Sequence, residues 1–168
     1  MHDPDTAAIL VHASALFKLA LGMSTQNTLS LGHPTDQDLQ IHEIRDAVEI
    51  LHPVSRNAKV EVLQALYMDR KDRLIVHRIL NSGTENRTLF CPRQVLQPAM
   101  QLDAHNLILA HNHPSGIKTP STADIRATYH LIDVARHLGV QVRDHIILTQ
   151  MGYFSMRSEG LLCPHSVV

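Results

Sequence analysis

Within the fourteen residues from His111 to Asp124 the chain carries two imidazoles, a hydroxyl and a carboxylate: His111-Asn112-His113-Pro114-Ser115-Gly116, then Pro120-Ser121 and Asp124. These side chains are of the types that bind zinc. His111 and His113 stand two apart just beyond the apolar run Asn106 to Ala110. At the end of a strand their side chains point the same way and can converge on one ion. Apolar residues at Ile125, Tyr129, Ile132, Ala135 and Leu138 predict a helix after Ser121, with Asp124 in its first turn. Three protein ligands leave a fourth position for water, the arrangement of a catalytic rather than a structural zinc site.

The same letters have plainer readings. Ser121-x-x-Asp124 is also a capping box, with serine at the N-cap and an acid three residues on. The two histidines also fit as polar residues of a loop that follows a strand. Residue types alone leave both readings open.

His-x-His, seven residues, then Ser-x-x-Asp resembles the motif of the JAMM (JAB/MPN) metalloproteases, reproduced here without a gap. That family also places a glutamate upstream on a strand, and Glu61, within Ala58 to Asp69, is the matching position. The segments His-Asn-His-Pro-Ser-Gly, Thr119-Pro120-Ser121-x-x-Asp124, Leu138-Gly139-Val140, Asp144-His145-Ile146-Ile147 and Ser155 to Leu162 are similar to the RadC branch, as is Cys91-Pro92-Arg93-Gln94. The likeness runs in order from about Ile41 to Leu162.

The resemblance implies an α/β fold, the JAMM (cytidine-deaminase-like) sandwich of a mixed curved sheet flanked by helices. It implies one zinc ion per chain on His111, His113 and Asp124. It also implies Glu61 as the carboxylate that takes a proton from water and returns it to the leaving amine, and Ser121 as a donor to the oxyanion. The function that follows is zinc-dependent hydrolysis of a peptide or isopeptide bond, with a protein or peptide substrate such as a ubiquitin-like tail or a linked lysine. Two other classes stand beside it: a DNA-repair accessory protein of RadC type, and a catalytically silent MPN scaffold that binds a partner. HNH nucleases spread their three residues along a ββα-metal unit, so a contiguous His-Asn-His does not match them. Zinc nucleoside deaminases need His-x-Glu and Pro-Cys-x-x-Cys, which this sequence lacks.

Composition narrows the partners. Fifteen basic against sixteen acidic residues give a formal charge of -1 with no Lys/Arg run, so nothing calls for a polyphosphate and nucleic acid is not an expected partner. RadC proteins carry a helix-hairpin-helix segment with Gly-x-Gly turns ahead of the similar region, and no such turn is found here. Two cysteines far apart, Cys91 and Cys163, read as thiols in a reducing compartment. An acidic N-terminus without a basic n-region, followed by an apolar run broken by His12, Ser14 and Lys18, predicts neither export nor a membrane span. A cytoplasmic location is the expectation.

The elements that must position these residues are legible as patterns. Residues 1–34 read as a helix, Ala7 to Leu21, closed by Gly22 and followed by a linker; residues 35–168 read as the catalytic domain. In the latter, Thr35-x-x-Asp38 opens a helix through Leu51, with Pro53 after its end. Val60 to Met68 and Arg73 to Leu80 form a hairpin. A short strand near Thr88 to Phe90, a helix from Pro92 to about Leu102, the strand Asn106 to Ala110 and the helix Thr122 to Leu138 follow. Gln141 to Arg143, Ile146 to Thr149 and Tyr153 to Met156 complete a mixed sheet. Sheet edges of this kind can pair between subunits, so a homo-oligomer is compatible. His145 can act on a ligand from behind or simply close a strand; His12, His42, His52, His130 and His137 fall at solvated or boundary positions of helical patterns.

Overall fold

A computed structural model describes residues 39–82 and 90–162. The described residues all belong to one compact unit within Asp36–Val168. The expected N-terminal helix and linker, the helix opening at Thr35, the short strand before Phe90 and Cys163 lie outside the described residues.

Among the described residues eight elements follow in order: α1 (Ile44–Ser55), β1 (Val62–Met68), β2 (Leu74–Ser82), α2 (Pro92–Gln101), β3 (Asn106–Asn112), α3 (Thr122–His137), β4 (Gln141–Thr149) and β5 (Gly152–Ser155). The five strands form one sheet in the order β2-β1-β3-β4-β5. All neighbours are antiparallel except β3 and β4, which run parallel and are joined through α3. Parallel neighbours need such a crossover, so α3 starts at the end of the sheet where β3 stops and carries the chain back to begin β4.

Every residue of β1 and β3 is buried, because helices cover both faces of the sheet centre. Alternation divides the side chains. Leu63, Ala65, Tyr67, Leu107 and Leu109 pack with Val95, Leu96 and Ala99 of α2 and Leu131 and Ala135 of α3. Leu66, Met68, Ile108, Ala110, Ile146 and Leu148 pack with Ala47 and Leu51 of α1 on the other face. The result is an α/β sandwich with a mixed sheet between three helices, as the hydrophobic pattern and the family resemblance predict.

Three boundaries differ from the sequence reading. The first helix begins at Ile44 under a capping box of Glu43 and Asp46. Leu39 to Ile41 instead run extended, Ile41 N–H donating to Asp72 O and Leu39 O accepting from Leu74 N–H beside the β1–β2 turn. That helix also runs through Pro53 to Ser55, because a proline in the last turn removes one backbone bond while Arg56 N–H still reaches His52 O. Gln141–Thr149 is a single strand, not two. Its register against β3 slips at Leu107/Ile108 so that Arg143 is left over, a bulge that masquerades as a strand break in the sequence. Arg143 turns to Asp72 at 3.1 Å. Among the described residues no helix is long and apolar enough to cross a membrane.

Candidate metal centre

The site forms where β3 ends and α3 begins. His111 is in the last turn of pairing of β3, opposite Leu63 of β1 and beside Ile147 of β4, and is buried. His113 lies just past the strand, its N–H donating to Leu148 O at 2.9 Å, so its backbone continues along β4. The chain then turns: Gly116 N–H donates to His113 O, and Gly116 takes φ +80°, a left-handed conformation that a side chain would strain. This turn carries the Ile117 carbonyl back to accept from His113 Nδ1 at 2.7 Å.

Ser121 caps α3. Its Oγ accepts from Asp124 N–H at 3.1 Å, and Asp124 Oδ2 accepts from Ser121 N–H at 2.7 Å. The cap leaves the Asp124 carboxylate beside both imidazoles, its Oδ1 3.6 Å from His111 Nε2 and its Oδ2 3.7 Å from His113 Nε2. The two Nε2 atoms are 2.9 Å apart. Donor atoms around a four-coordinate zinc at about 2.0–2.1 Å stand roughly 3.3–3.4 Å from one another, a separation these three bracket. Among the described residues His111, His113 and Asp124 form the group of His, Cys, Asp or Glu side chains able to share an ion.

The protons of the two imidazoles can be placed by elimination. Thr128 Oγ lies 2.6 Å from Asp124 O and 2.6 Å from His145 Nδ1. A carbonyl cannot donate, so the hydroxyl gives its one proton to Asp124 O and accepts from His145 Nδ1–H. Burial holds His145 well below the usual imidazole range, so it is neutral and its Nε2 is a lone pair. That lone pair accepts from His111 Nδ1 at 2.8 Å, which leaves His111 Nε2 unprotonated and facing the site. His113 spends its Nδ1–H on Ile117 O, so in the neutral ring its Nε2 also presents a lone pair. Two lone pairs aimed at each other across 2.9 Å, with a carboxylate beside them, require a cation between them: a proton or a metal ion. The donor set fits zinc.

The charges agree with this arrangement. Burial pulls His111 down to about 4, with Asp124 and Glu61 opposing. The Asp124 carboxylate raises His113, whose partial burial opposes. Burial pushes Asp124 up, but His113, His111 and the two Ser121 bonds outweigh it and hold the carboxyl well below its ordinary range. Glu61 sits immediately before β1, half-buried, and its charge is felt by both histidines. Leu63 pairs with His111 at the last rung of the β1–β3 ladder, and Glu61 lies two residues beyond that rung.

The five sequence-selected residues thus gather at one end of the β1–β3 pair, three of them as a donor cluster. Composition and spacing did not single out Thr128 or Asn112, and left the part of His145 open. Thr128 carries a signal only in hindsight, as a polar residue four after Asp124 on the buried stripe of α3. Asp144 turns away from the centre: it accepts from Ser155 Oγ at 2.5 Å, Arg157 N–H and His145 N–H, tying β4 to β5. His52 joins α1 to β4 by a contact of 3.1 Å from Nε2 to Thr149 O.

Comparison with known proteins agrees with the geometry. Residues 41–161 match the family model described as RadC-like JAB domain. A UPF0758 protein of Methanococcoides burtonii is 35% identical over 127 residues, 76% of this chain and 56% of the relative. One from Symbiobacterium thermophilum is 37% identical over 118 residues, 70% of this chain and 50% of the relative. The chain therefore spans about half the length of the curated relatives it matches. On the family match and these identities together, the chain belongs to the RadC-like JAB domain family.

Proposed function

We propose that this chain is a zinc-dependent peptidase or isopeptidase acting on a protein or peptide substrate. The observation that carries the reading is the pair of Nε2 lone pairs, each fixed by a committed Nδ1–H, converging with Asp124 within the field of Glu61. When bound, a zinc ion supplies Lewis acidity to a water molecule and to the carbonyl of the scissile bond. Glu61 is the group on this chain able to take the proton from the attacking water and deliver it to the amine nitrogen as the C–N bond breaks. Ser121 uses an Oγ lone pair for its cap, so its hydroxyl proton remains available to the carbonyl oxygen as charge develops there.

An amide is the bond class the set is built for, because its poor leaving group needs both an activated water and a proton donor. A lysine-linked or C-terminal tail substrate presents such a bond on a flexible segment that can enter the sheet end. The assay is metal content by mass spectrometry together with cleavage of a panel of peptide and isopeptide-linked substrates. About one zinc per chain in wild type is expected, lost in His113→Ala and Asp124→Ala with folding retained. Glu61→Gln is expected to keep the metal and lose about 10²- to 10⁴-fold in turnover. Full turnover by Glu61→Gln would overturn the mechanism, and a chain that binds zinc but cleaves nothing in the panel would favour a scaffold that binds a partner.

A further inference from the structure

The middle residue of His111-Asn112-His113 faces away from the imidazoles, is buried at 2% exposure, and makes two hydrogen bonds to the chain where it enters β1. Its Oδ1 accepts from Val62 N–H at 2.8 Å, and its Nδ2 donates to Val60 O at 3.1 Å. These two backbone groups flank Glu61. A backbone N–H can only donate and a carbonyl can only accept, so one orientation of the amide satisfies both.

Pairing between β1 and β3 stops at Leu63 and His111, whereas β3 stays with β4 through Asn112 and on to His113. The two main chains therefore part at the level of the metal ligands, and the Asn112 side chain bridges them where the backbone ladder no longer does. We propose that Asn112 is a positioning residue: it splints the residues on either side of Glu61 and thereby holds that carboxylate on the imidazole face, at a sheet end left open for substrate. The proposal rests on the reading of Glu61 as proton carrier.

Residue chemistry makes the position demanding. Alanine or leucine supplies neither bond. Serine reaches at most one partner, and aspartate keeps the bond from Val62 N–H but sets a second acceptor against Val60 O. Alternation puts Leu63 on the α2/α3 face with the imidazoles, and Glu61, two residues back, follows it only while residues 60 and 62 are held extended. The metal ligands themselves stay on β3 and α3, tied by the Leu148, Ile117, Thr128 and Ser121 bonds, none of which passes through Asn112.

The test uses the whole chain with cobalt(II) in place of zinc, comparing wild type, Asn112→Ala, Glu61→Gln and the double variant. Two readouts are followed: the pH midpoint of the cobalt visible spectrum and hydrogen exchange at Val62 N–H. Asn112→Ala is expected to bind one cobalt per chain, to speed exchange at Val62 by roughly an order of magnitude or more, and to move the midpoint in the direction that Glu61→Gln moves it. The double variant should then match Glu61→Gln alone, since the splint acts through that carboxylate. Asn112→Asp, which keeps one arm, should fall between and serves if the alanine variant does not fold. A midpoint unchanged in Asn112→Ala, or shifts that add in the double variant, would overturn the proposal alone. A midpoint unmoved by Glu61→Gln would overturn the proton-carrier reading and the proposal with it.

Discussion

Thr128 touches no ligand side chain, yet its replacement by valine should weaken metal binding. Valine has nearly the same shape, so the buried site loses an oxygen without gaining a cavity. His145 Nδ1–H then has no acceptor, and a buried unsatisfied donor costs about 1–3 kcal/mol. The pair of rings can escape this penalty only by shifting protons together: His145 moves its proton to Nε2, and His111, now facing a donor at 2.8 Å, must move its own to Nε2 as well. That places a proton where the metal should bind. To bind, the metal must reverse the shift, so its affinity falls by the energy of the orphaned donor. At about 1.4 kcal/mol per factor of ten this is a loss of about 5- to 150-fold, in line with the roughly 10- to 100-fold effects of groups that orient metal-ligating histidines. Zinc competition against a chelator of known affinity measures it, and ¹⁵N shifts of the ring nitrogens in the metal-free protein report the tautomer directly. Wild-type affinity within twofold, or an unchanged His111 tautomer, would refute the proton assignment on which the metal-centre argument stands.

Stability should depend on pH through the buried imidazoles. Burial lowers His77 and His111 to about 4 in the folded protein, below their value of about 6.5 when unfolded, so their stabilising contribution is present above about 6.5 and is lost as pH falls toward 4. Between pH 7 and 5 the two together remove roughly 2–4 kcal/mol, with raised His113 offsetting part; urea unfolding of metal-free protein that is flat across this range would contradict it. Zinc at neutral pH should raise the melting temperature, and no rise is expected for His113→Ala. Gly116→Ala meets no atom within 4 Å, so only backbone strain of about 1–2 kcal/mol opposes it. A zinc affinity weakened severalfold by loss of the Ile117 carbonyl's aim is the expected readout; unchanged binding would show that the turn is not what orients His113.

What could be read from the sequence was whatever repeats or stands at a fixed interval. The burial of β1 and β3 follows from apolar runs such as Ala65 to Met68 and Leu107 to Ala110, and the crossover α3 from its spaced apolar stripe and its Ser121 cap. The ligand cluster was legible because its three residues lie within fourteen positions, on a strand end and the helix start that the crossover must bring back to it. What was not legible depends on register. Arg143 bulges because β4 and β3 slip by one, and Glu43 rather than Thr35 caps α1 because Leu39 to Ile41 are claimed by the β1–β2 turn. Thr128, Asn112 and His145 act through partners 4 to 52 residues away, and no local pattern distinguishes such a residue from an ordinary buried polar one.

The division of labour between strands gives the site its logic. All three donor residues, and the bonds that fix the imidazole tautomers, belong to β3, the loop that follows it, α3 and β4, a parallel unit closed by α3. Glu61 belongs to the neighbouring segment, which reaches that unit through the β1–β3 ladder and, past its last rung, through Asn112. Metal affinity and proton handling are therefore set by different hydrogen bonds and can be lost separately. A substitution at Thr128 acts on the first and leaves Val60 and Val62 untouched; one at Asn112 acts on the second and leaves both imidazole tautomers in place. A carboxylate fixed to the same loop as the ligands would allow no such separation. The parting of β1 from β3 falls beside the donor cluster, so the break in the ladder that Asn112 bridges is the place where, under the proposed function, a substrate segment would approach.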